Sequence, residues 1–190
     1  MRLFMNTLRH SLRNQRKALS TSEQAKFAEC LLPQAQQVSN FQNGQKIALY
    51  LANDGEINPN HIKNFLRNEG IEVYLPVLND KKLKFAKLGH KFAKNKFNIN
   101  EPTATEMLNA EQLDIIFMPL VGFDKQKNRL GMGGGFYDRT LAFKKYQKHT
   151  NPKLIGLAFD CQKVDKLAVK KWDVPLDIII TPTTIYVGCV

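Results

Sequence analysis

Arg129-Leu-Gly-Met-Gly-Gly-Gly-Phe-Tyr-Asp-Arg139 places four glycines within five residues, between an apolar run, Leu113 to Val121 (LDIIFMPLV), and an amphipathic segment, Tyr137 to Lys148. A run apolar at nearly every position reads as a buried strand, and a segment that sets Leu141 and Lys145 on its faces reads as a helix. Strand, loop and helix in that order are the unit of an open α/β sheet. Without Cβ atoms, Gly131, Gly133, Gly134 and Gly135 can turn successive backbone N–H groups inward, forming an anion-binding nest at the positive end of the helix. Two commoner glycine loops fail on spacing. A Walker A loop needs Gly-Lys-Ser/Thr, but Phe136 follows Gly134-Gly135. A GxGxxG fingerprint would need glycine at Phe136 or at Asp138. A turn that merely lets strand and helix pack closely would need none of the charges on Arg129, Asp138 and Arg139.

Outward from this loop the chain alternates. Leu3 to Leu19 reads as a helix with Leu8, Leu12 and Leu19 on a narrow stripe, and Ser20-Thr-Ser-Glu23 as a capping box opening a second helix. Arg2, Arg9, Arg13 and Arg16 follow at intervals of 7, 4 and 3, so they share one face and make a phosphate clamp geometrically feasible. Ile47 to Ala52 reads as a strand, Pro59 to Asn68 as a helix ended by Gly70, and Ile71 to Leu75 and Lys82 to Leu88 as strands. His90 to Thr105 is a polar, basic excursion. Lys153 to Phe159, a short helical stretch near Val164, Asp177 to Thr181 and Thr184 to Val187 complete the pattern. The expectation is a single α/β domain spanning 1–190, with a mostly parallel sheet, helices on both faces, and ligands at the carboxyl ends of the strands. Asn53-Asp-Gly-Glu56 and the glycine loop both follow predicted strands and so belong to one edge.

Composition bounds the function. At 190 residues and 43% hydrophobic, with a mean hydropathy of −0.34, the chain suits one soluble domain. MRLFMNTLRH carries no secretory apolar stretch, and no run reaches the roughly 20 apolar residues of a membrane span, so a cytoplasmic protein is expected. Cys30, Cys161 and Cys189 are odd in number and widely spaced, which suggests reduced thiols, with Cys30 and Cys161 candidates for burial. A net charge of +11 calls for an anionic partner. Lys81 to Lys96, interleaved with Phe85, Phe92 and Phe97, reads either as a single-strand-binding surface or as a solvated hairpin and loop whose phenylalanines face the core. The four histidines, His10, His61, His90 and His149, show no metal-ligand spacing and are expected at the surface.

MPLVGFD followed by RLGMGGGFYDR resembles the signature of the 5-formyltetrahydrofolate cyclo-ligase family, also called 5,10-methenyltetrahydrofolate synthetase. The resemblance continues through Leu51 to Pro59 (LANDGEINP), Tyr74-Leu-Pro76, Gly156-Leu-Ala-Phe-Asp160, Lys171-Trp-Asp-Val-Pro175 and Ile179-Ile-Thr-Pro182, in the family's order over nearly the whole chain. It implies an enzyme that uses MgATP to convert 5-formyltetrahydrofolate into 5,10-methenyltetrahydrofolate. A formamide oxygen leaves poorly, so transfer of the γ-phosphate onto it creates an activated group that the folate N10 attacks, expelling phosphate. Such chemistry depends on positioning and charge neutralisation more than on a protein nucleophile.

Residue by residue, the resemblance assigns Arg129, Leu130, Gly131, Met132, Gly133, Gly134, Gly135, Phe136 and Tyr137 to the ATP-phosphate loop, with Met132 to Phe136 also reaching the folate. Asp138 and Asp173 are the implied magnesium ligands, a hard-oxygen pair suited to that cation. Arg9 is the implied N-terminal phosphate contact, with Arg13 one turn further along. Glu56 and Leu51 are the implied folate contacts, the carboxylate accepting paired hydrogen bonds from the pterin. Tyr137 and Arg129 are the candidates to steady charge at the reacting centre. The chain departs from the family where a lysine often precedes Arg9 by about one turn: Met5 stands there, with Arg2 the candidate substitute. Some members also carry a lysine in the loop where Gly134 stands here.

The implied partner is a reduced folate, in polyglutamylated form attracted by a lysine-rich rim, bound by a monomer without nucleic acid or membrane. Two other readings of the charge and loop are a small-molecule kinase, which would release a stable phosphoester, and a basic nucleic-acid-binding module. The second has no RNP, KH or zinc-finger motif behind it.

Overall fold

The β-branched and apolar runs pair side by side, as parallel strands buried on both faces must. In the computed structural model, which describes residues 2–89, 91–103, 106–146 and 151–188, the strands in chain order are Lys46–Ala48 (β1), Glu72–Asn79 (β2), Lys82–Lys87 (β3), Phe92–Lys94 (β4), Asn100–Pro102 (β5) and Met107–Leu108 (β6). They continue with Ile115–Pro119 (β7), Gly122–Phe123 (β8), Arg129–Leu130 (β9), Lys153–Leu157 (β10), Ile178–Ile180 (β11) and Ile185–Tyr186 (β12). Eight form one sheet in the order β12-β11-β10-β7-β1-β2-β3-β6. From β11 to β2 every pairing is parallel, and β12, β3 and β6 add antiparallel edges. In register, Ile47 opposes Ile115 and Ala48 opposes Ile116, which makes β1 and β7 direct neighbours.

Two carboxylates start the strands. Asp114 Oδ2 accepts the Lys46 N–H at 2.7 Å and Asp177 Oδ2 accepts the Leu154 N–H at 2.7 Å, satisfying backbone donors that the ladder leaves open. Helices Thr21–Glu29 (α2), Leu31–Val38 (α3) and Asn60–Asn68 (α4) cover one face, where Ala28, Leu31, Ala35, Ile62 and Leu66 meet Ile47, Val73 and Phe117. The predicted capping box is present: Ser20 Oγ accepts the Glu23 N–H, and Glu23 Oε2 accepts the Ser20 N–H. The opposite face is covered by loops and single turns, with Ala110, Leu113, Leu141 and Leu176 packed on Ile116, Met118 and Ile179.

The predicted helix from Tyr137 is much shorter than its periodicity implies. Phe136–Thr140 (α5) is five residues long and gives way to a 3-10 turn at Ala142–Lys145; the end of the predicted span, with Lys148, lies outside the described residues. Thr140 explains the break. Its hydroxyl donates back to Phe136 O at 2.7 Å while accepting the Leu83 N–H at 2.8 Å, and such back-bonding competes with continuation of the helix. The excursion after β3 forms the β4–β5 hairpin, and its Phe92 and Phe97 are exposed, contrary to the core-facing expectation. Cys30 and Cys161 are free and only half-buried. His10 and His61 are exposed, as expected, while His90, His149 and Cys189 lie outside the described residues.

Gly156 sits mid-strand where a Cβ would come within 2.5 Å of Leu176 Cδ1 and 2.7 Å of Leu120 Cδ2. Both leucines are buried, so neither can swing clear. Gly156→Ala should therefore destabilise the protein by about 1–3 kcal/mol through overpacking, read as a lowered urea midpoint at unchanged slope; an unaltered midpoint would show that this core has slack.

Candidate active site

β1 and β7 are adjacent and parallel, so the loops leaving their carboxyl ends converge, the crevice position expected of an open α/β sheet. Beyond β7 the chain does not enter the glycine loop directly, as the sequence suggested. It first makes the β8–β9 hairpin, whose turn is tied by buried Asp124 accepting from the N–H and side-chain amide of Asn128. That hairpin delivers Arg129 with its side chain only 5% exposed, donating to Asp138 Oδ1 at 2.6 Å and lying 5.6 Å from the centre of the Tyr137 ring. Arg129 Nε is buried with no hydrogen-bond partner among the described residues. A guanidinium N–H is a strong donor, and leaving it unpaired in a buried position is costly unless an acceptor arrives.

The loop backbone needs its glycines at two places. Gly133 has φ +100° and Gly135, capping α5, has φ +64°, conformations that side chains with a Cβ adopt at a cost. Arginines hold the loop open: Arg9 Nε donates to Gly131 O at 2.8 Å, and Arg139 Nη2 to Gly134 O at 2.7 Å. In a trans peptide the C=O and N–H point oppositely. The N–H groups of Met132 and Gly135 are consequently turned away from those arginines. Only five helical residues follow the loop, so no long helix dipole stands behind it, contrary to the helix that the sequence suggested.

The β1 side supplies a carboxyl. Asn53-Asp54-Gly55-Glu56 is a tight turn with Asp54 at φ +53° and Gly55 at φ +76°, closed by the Glu56 N–H on Asn53 O at 3.0 Å. Glu56 Oε2 accepts the Asn53 N–H at 3.1 Å, and Arg16 Nη2 stands 4.0 Å from Oε1. Burial pushes the Glu56 carboxyl up to about 7, and the Asp54 charge adds to the shift while the Asn53 N–H and Arg16 oppose it. The Tyr137 hydroxyl is raised by burial and then by the Glu56 charge. The Glu56 charge thus acts on the Tyr137 hydroxyl across the crevice between the two loops. Leu51 is half-buried beside the core.

Asp173 Oδ2 caps its own turn, accepting the Lys170 N–H at 2.8 Å, and the next residue's N–H, on Val174, reaches Asp138 Oδ1 at 3.4 Å. The two predicted metal carboxylates therefore lie on touching segments, although among the described residues no set of three His, Cys, Asp or Glu side chains gathers as a metal cluster.

The shared face of the first helix, Arg2–Lys17 (α1), divides in two. Arg9 faces the glycine loop. Arg13 Nε and Nη2 instead grip Asp54 at 2.6 and 3.0 Å. Arg16 is fully buried, donating to Asp54 and to Leu120 O, so it has no surface to offer a phosphate, contrary to the four-arginine clamp that spacing allowed. The Arg2 side chain lies outside the described residues. Periodicity identified the face correctly but could not show that Asp54 would occupy half of it; the only trace in the sequence was that Asp54 sits inside the quoted turn. Phe97, at the tip of the β4–β5 hairpin, packs edge-on against Phe136 at 5.9 Å with Lys96 over both rings, which brings the basic excursion to the glycine loop.

Comparison with known proteins agrees with this geometry. The sequence profile of the 5-formyltetrahydrofolate cyclo-ligase family matches residues 5–182. The chain is 35% identical over 182 residues to the 5-formyltetrahydrofolate cyclo-ligase of Escherichia coli, covering 92% of this chain and 98% of that protein. It is 38% identical over 187 residues to that of Haemophilus influenzae, covering 91% and 95%. The solution structure of Aquifex aeolicus 5,10-methenyltetrahydrofolate synthetase superposes with a TM-score of 0.80 at 27% identity, covering 95% of this chain and 91% of that one. A carboxyl-end crevice built from the glycine loop and the Glu56 turn, together with near-complete alignment to these proteins, means that the chain belongs to the 5-formyltetrahydrofolate cyclo-ligase family.

Proposed function

We propose that this protein converts 5-formyltetrahydrofolate to 5,10-methenyltetrahydrofolate at the expense of ATP, releasing ADP and phosphate. The observation that carries the reading is the buried Arg129 Nε beside the glycine loop, unpartnered among the described residues, an acceptor-seeking group where a phosphoryl oxygen would rest. Arg9 and the loop from Arg129 to Tyr137 hold the phosphates, and Met132 to Phe136 also border the folate. Glu56 accepts from the pterin, with Leu51 as an apolar neighbour. Tyr137, whose hydroxyl burial keeps protonated, donates to the formyl oxygen as charge builds on it when its bond to carbon breaks and phosphate departs. Arg129 neutralises the phosphoryl group in flight, and N10 of the folate then attacks the activated carbon and gives up its proton, which leaves with the phosphate as the C–O bond breaks and the ring closes.

The carboxylates fit magnesium. Asp138 gives Oδ1 to Arg129 and Asp173 gives Oδ2 to the Lys170 N–H, which leaves each a second oxygen for a hard cation. Held there, magnesium would offset phosphate charge. The exposed Lys91, Lys94 and Lys96 give the rim a positive field for a polyglutamate tail. No helix among the described residues is long and apolar enough to cross a membrane, and we assign the enzyme to the cytoplasm as a monomer acting without nucleic acid.

The test mixes purified protein with 5-formyltetrahydrofolate and MgATP and follows the near-ultraviolet absorbance of the methenyl product against an ATP-free control. Growth that requires ATP is expected. ATP consumption that yields a stable phosphoester and no methenyl product would replace this reading by a small-molecule kinase.

A further inference from the structure

We infer that Asp54 is a positioning residue for the folate: it gathers Arg13, Arg16 and Lys17 of α1 and thereby fixes the turn that aims Glu56, so that these cations serve the folate loop and not the ATP phosphates. The inference rests on the roles proposed above for Arg9 and Glu56.

Three cations converge on one carboxylate. Arg13 makes a two-point contact through Nε at 2.6 Å and Nη2 at 3.0 Å, Arg16 Nη2 reaches Oδ2 at 3.1 Å, and Lys17 pairs with Oδ1. This guanidinium pairing, with Lys17 adding to it, holds the Asp54 carboxyl well below the usual carboxylate range. Arg16 ties the turn to the sheet as well. Its Nε donates to Asp54 O at 3.0 Å, its Nη1 to Leu120 O at 3.1 Å beyond β7, and its Nη2 stands 4.0 Å from Glu56. Contact between helix and turn is direct, since a Cβ on Gly55 would lie 3.0 Å from Lys17 Cγ. Asp54 and Gly55 both occupy the left-handed region, which an Asp-Gly pair adopts readily in a tight turn, so local sequence sets the shape of the turn and the α1 cations set where it sits. The helix thus works at two ends: Arg9 secures Gly131, and the final turn, through Asp54, secures the loop that carries Glu56.

Asp54→Asn isolates the charge, because asparagine tolerates φ +53°. We expect the Kd and KM for 5-formyltetrahydrofolate to rise about tenfold while those for MgATP change less than about twofold. A residue with a merely structural role would not produce that split. The pH dependence of folate binding gives a second readout. The groups facing Glu56 are Arg16 from α1, Asp54 and the Asn53 N–H from its own turn, Tyr50 from the end of β1 and Tyr137 from α5, with His61 lining the adjoining groove. Both tyrosines stay neutral near pH 7, and a His61→Asn background removes the imidazole. Loss of the Asp54 charge, with Arg16 released to Glu56, favours the carboxylate, so the midpoint should move below its value of about 7.

Arg13→Gln guards against a folding failure of Asp54→Asn, because Arg13 is a third exposed and its loss leaves Arg16 on Asp54. It should show the same folate-selective rise. A rise confined to ATP, or equal for both ligands, in Arg13→Gln overturns the inference and returns that arginine to the phosphates. Calorimetric binding needs no turnover. A wild type that binds folate but forms no methenyl product would therefore defeat the proposed reaction while the Asp54 result still stands or falls on its own.

Discussion

Arg129→Met should lower kcat/KM for MgATP by about three orders of magnitude, the scale on which arginines that neutralise a phosphoryl group act. Methionine follows the arginine stem as far as the Nε position and suits its 5% exposure, so the packing of the stem is kept while the fork of donors disappears. Two losses combine. The Nε that has no partner among the described residues can no longer meet a phosphate oxygen, and Asp138 Oδ1 forfeits its 2.6 Å partner. Arg129→Lys keeps the charge without the planar fork and should fall between wild type and Arg129→Met. Initial rates of methenyl formation, with circular dichroism to confirm folding, decide the matter. A folded Arg129→Met enzyme within tenfold of wild type would remove Arg129 from the reacting centre.

Glu56→Gln should raise the KM for 5-formyltetrahydrofolate by one to two orders of magnitude, roughly the effect of losing a charge-assisted pair in a buried site, with ATP binding retained. The pH behaviour follows from its shifted carboxyl. With a folded value of about 7 against an ordinary 4.5, the native state holds a proton between those pH values that the unfolded chain has released. The stability from this group is fully present below about 4.5 and is lost as pH rises through about 7. Above that window the charged carboxylate costs the fold up to about 3 kcal/mol. Glu56→Gln should therefore be more stable than wild type at pH 8 while binding folate worse, and the difference should vanish below pH 4.5. Urea midpoints across pH measure it. A variant less stable than wild type at pH 8 would show that the carboxylate is held by more than Arg16 and the Asn53 N–H.

The parallel sheet was legible because Leu113 to Val121 and its partners are apolar at successive positions, a pattern that burial on both faces produces. Strand cores and the α2 capping box fell where local chemistry placed them. The length of α5 did not, since its end depends on the Thr140 hydroxyl meeting the Leu83 N–H from a strand far away in sequence. Phe92 and Phe97 looked like core residues because an aromatic between lysines carries no mark of which way a hairpin will face.

By itself the sequence determined the order of the main sheet strands and of helices α1, α2 and α4 and named the candidate residues on each loop, since these depend on side-chain type and short-range spacing. Only the tertiary structure decided the division of labour on α1. Arg9, Arg13 and Arg16 are equivalent by periodicity, yet they differ by what the fold brings opposite them: Gly131 O for Arg9, the Asp54 carboxylate for Arg13, and a buried cage of Asp54 and Leu120 for Arg16. A cation's role is set by the acceptor it meets, and those acceptors lie 38 to 122 residues away along the chain.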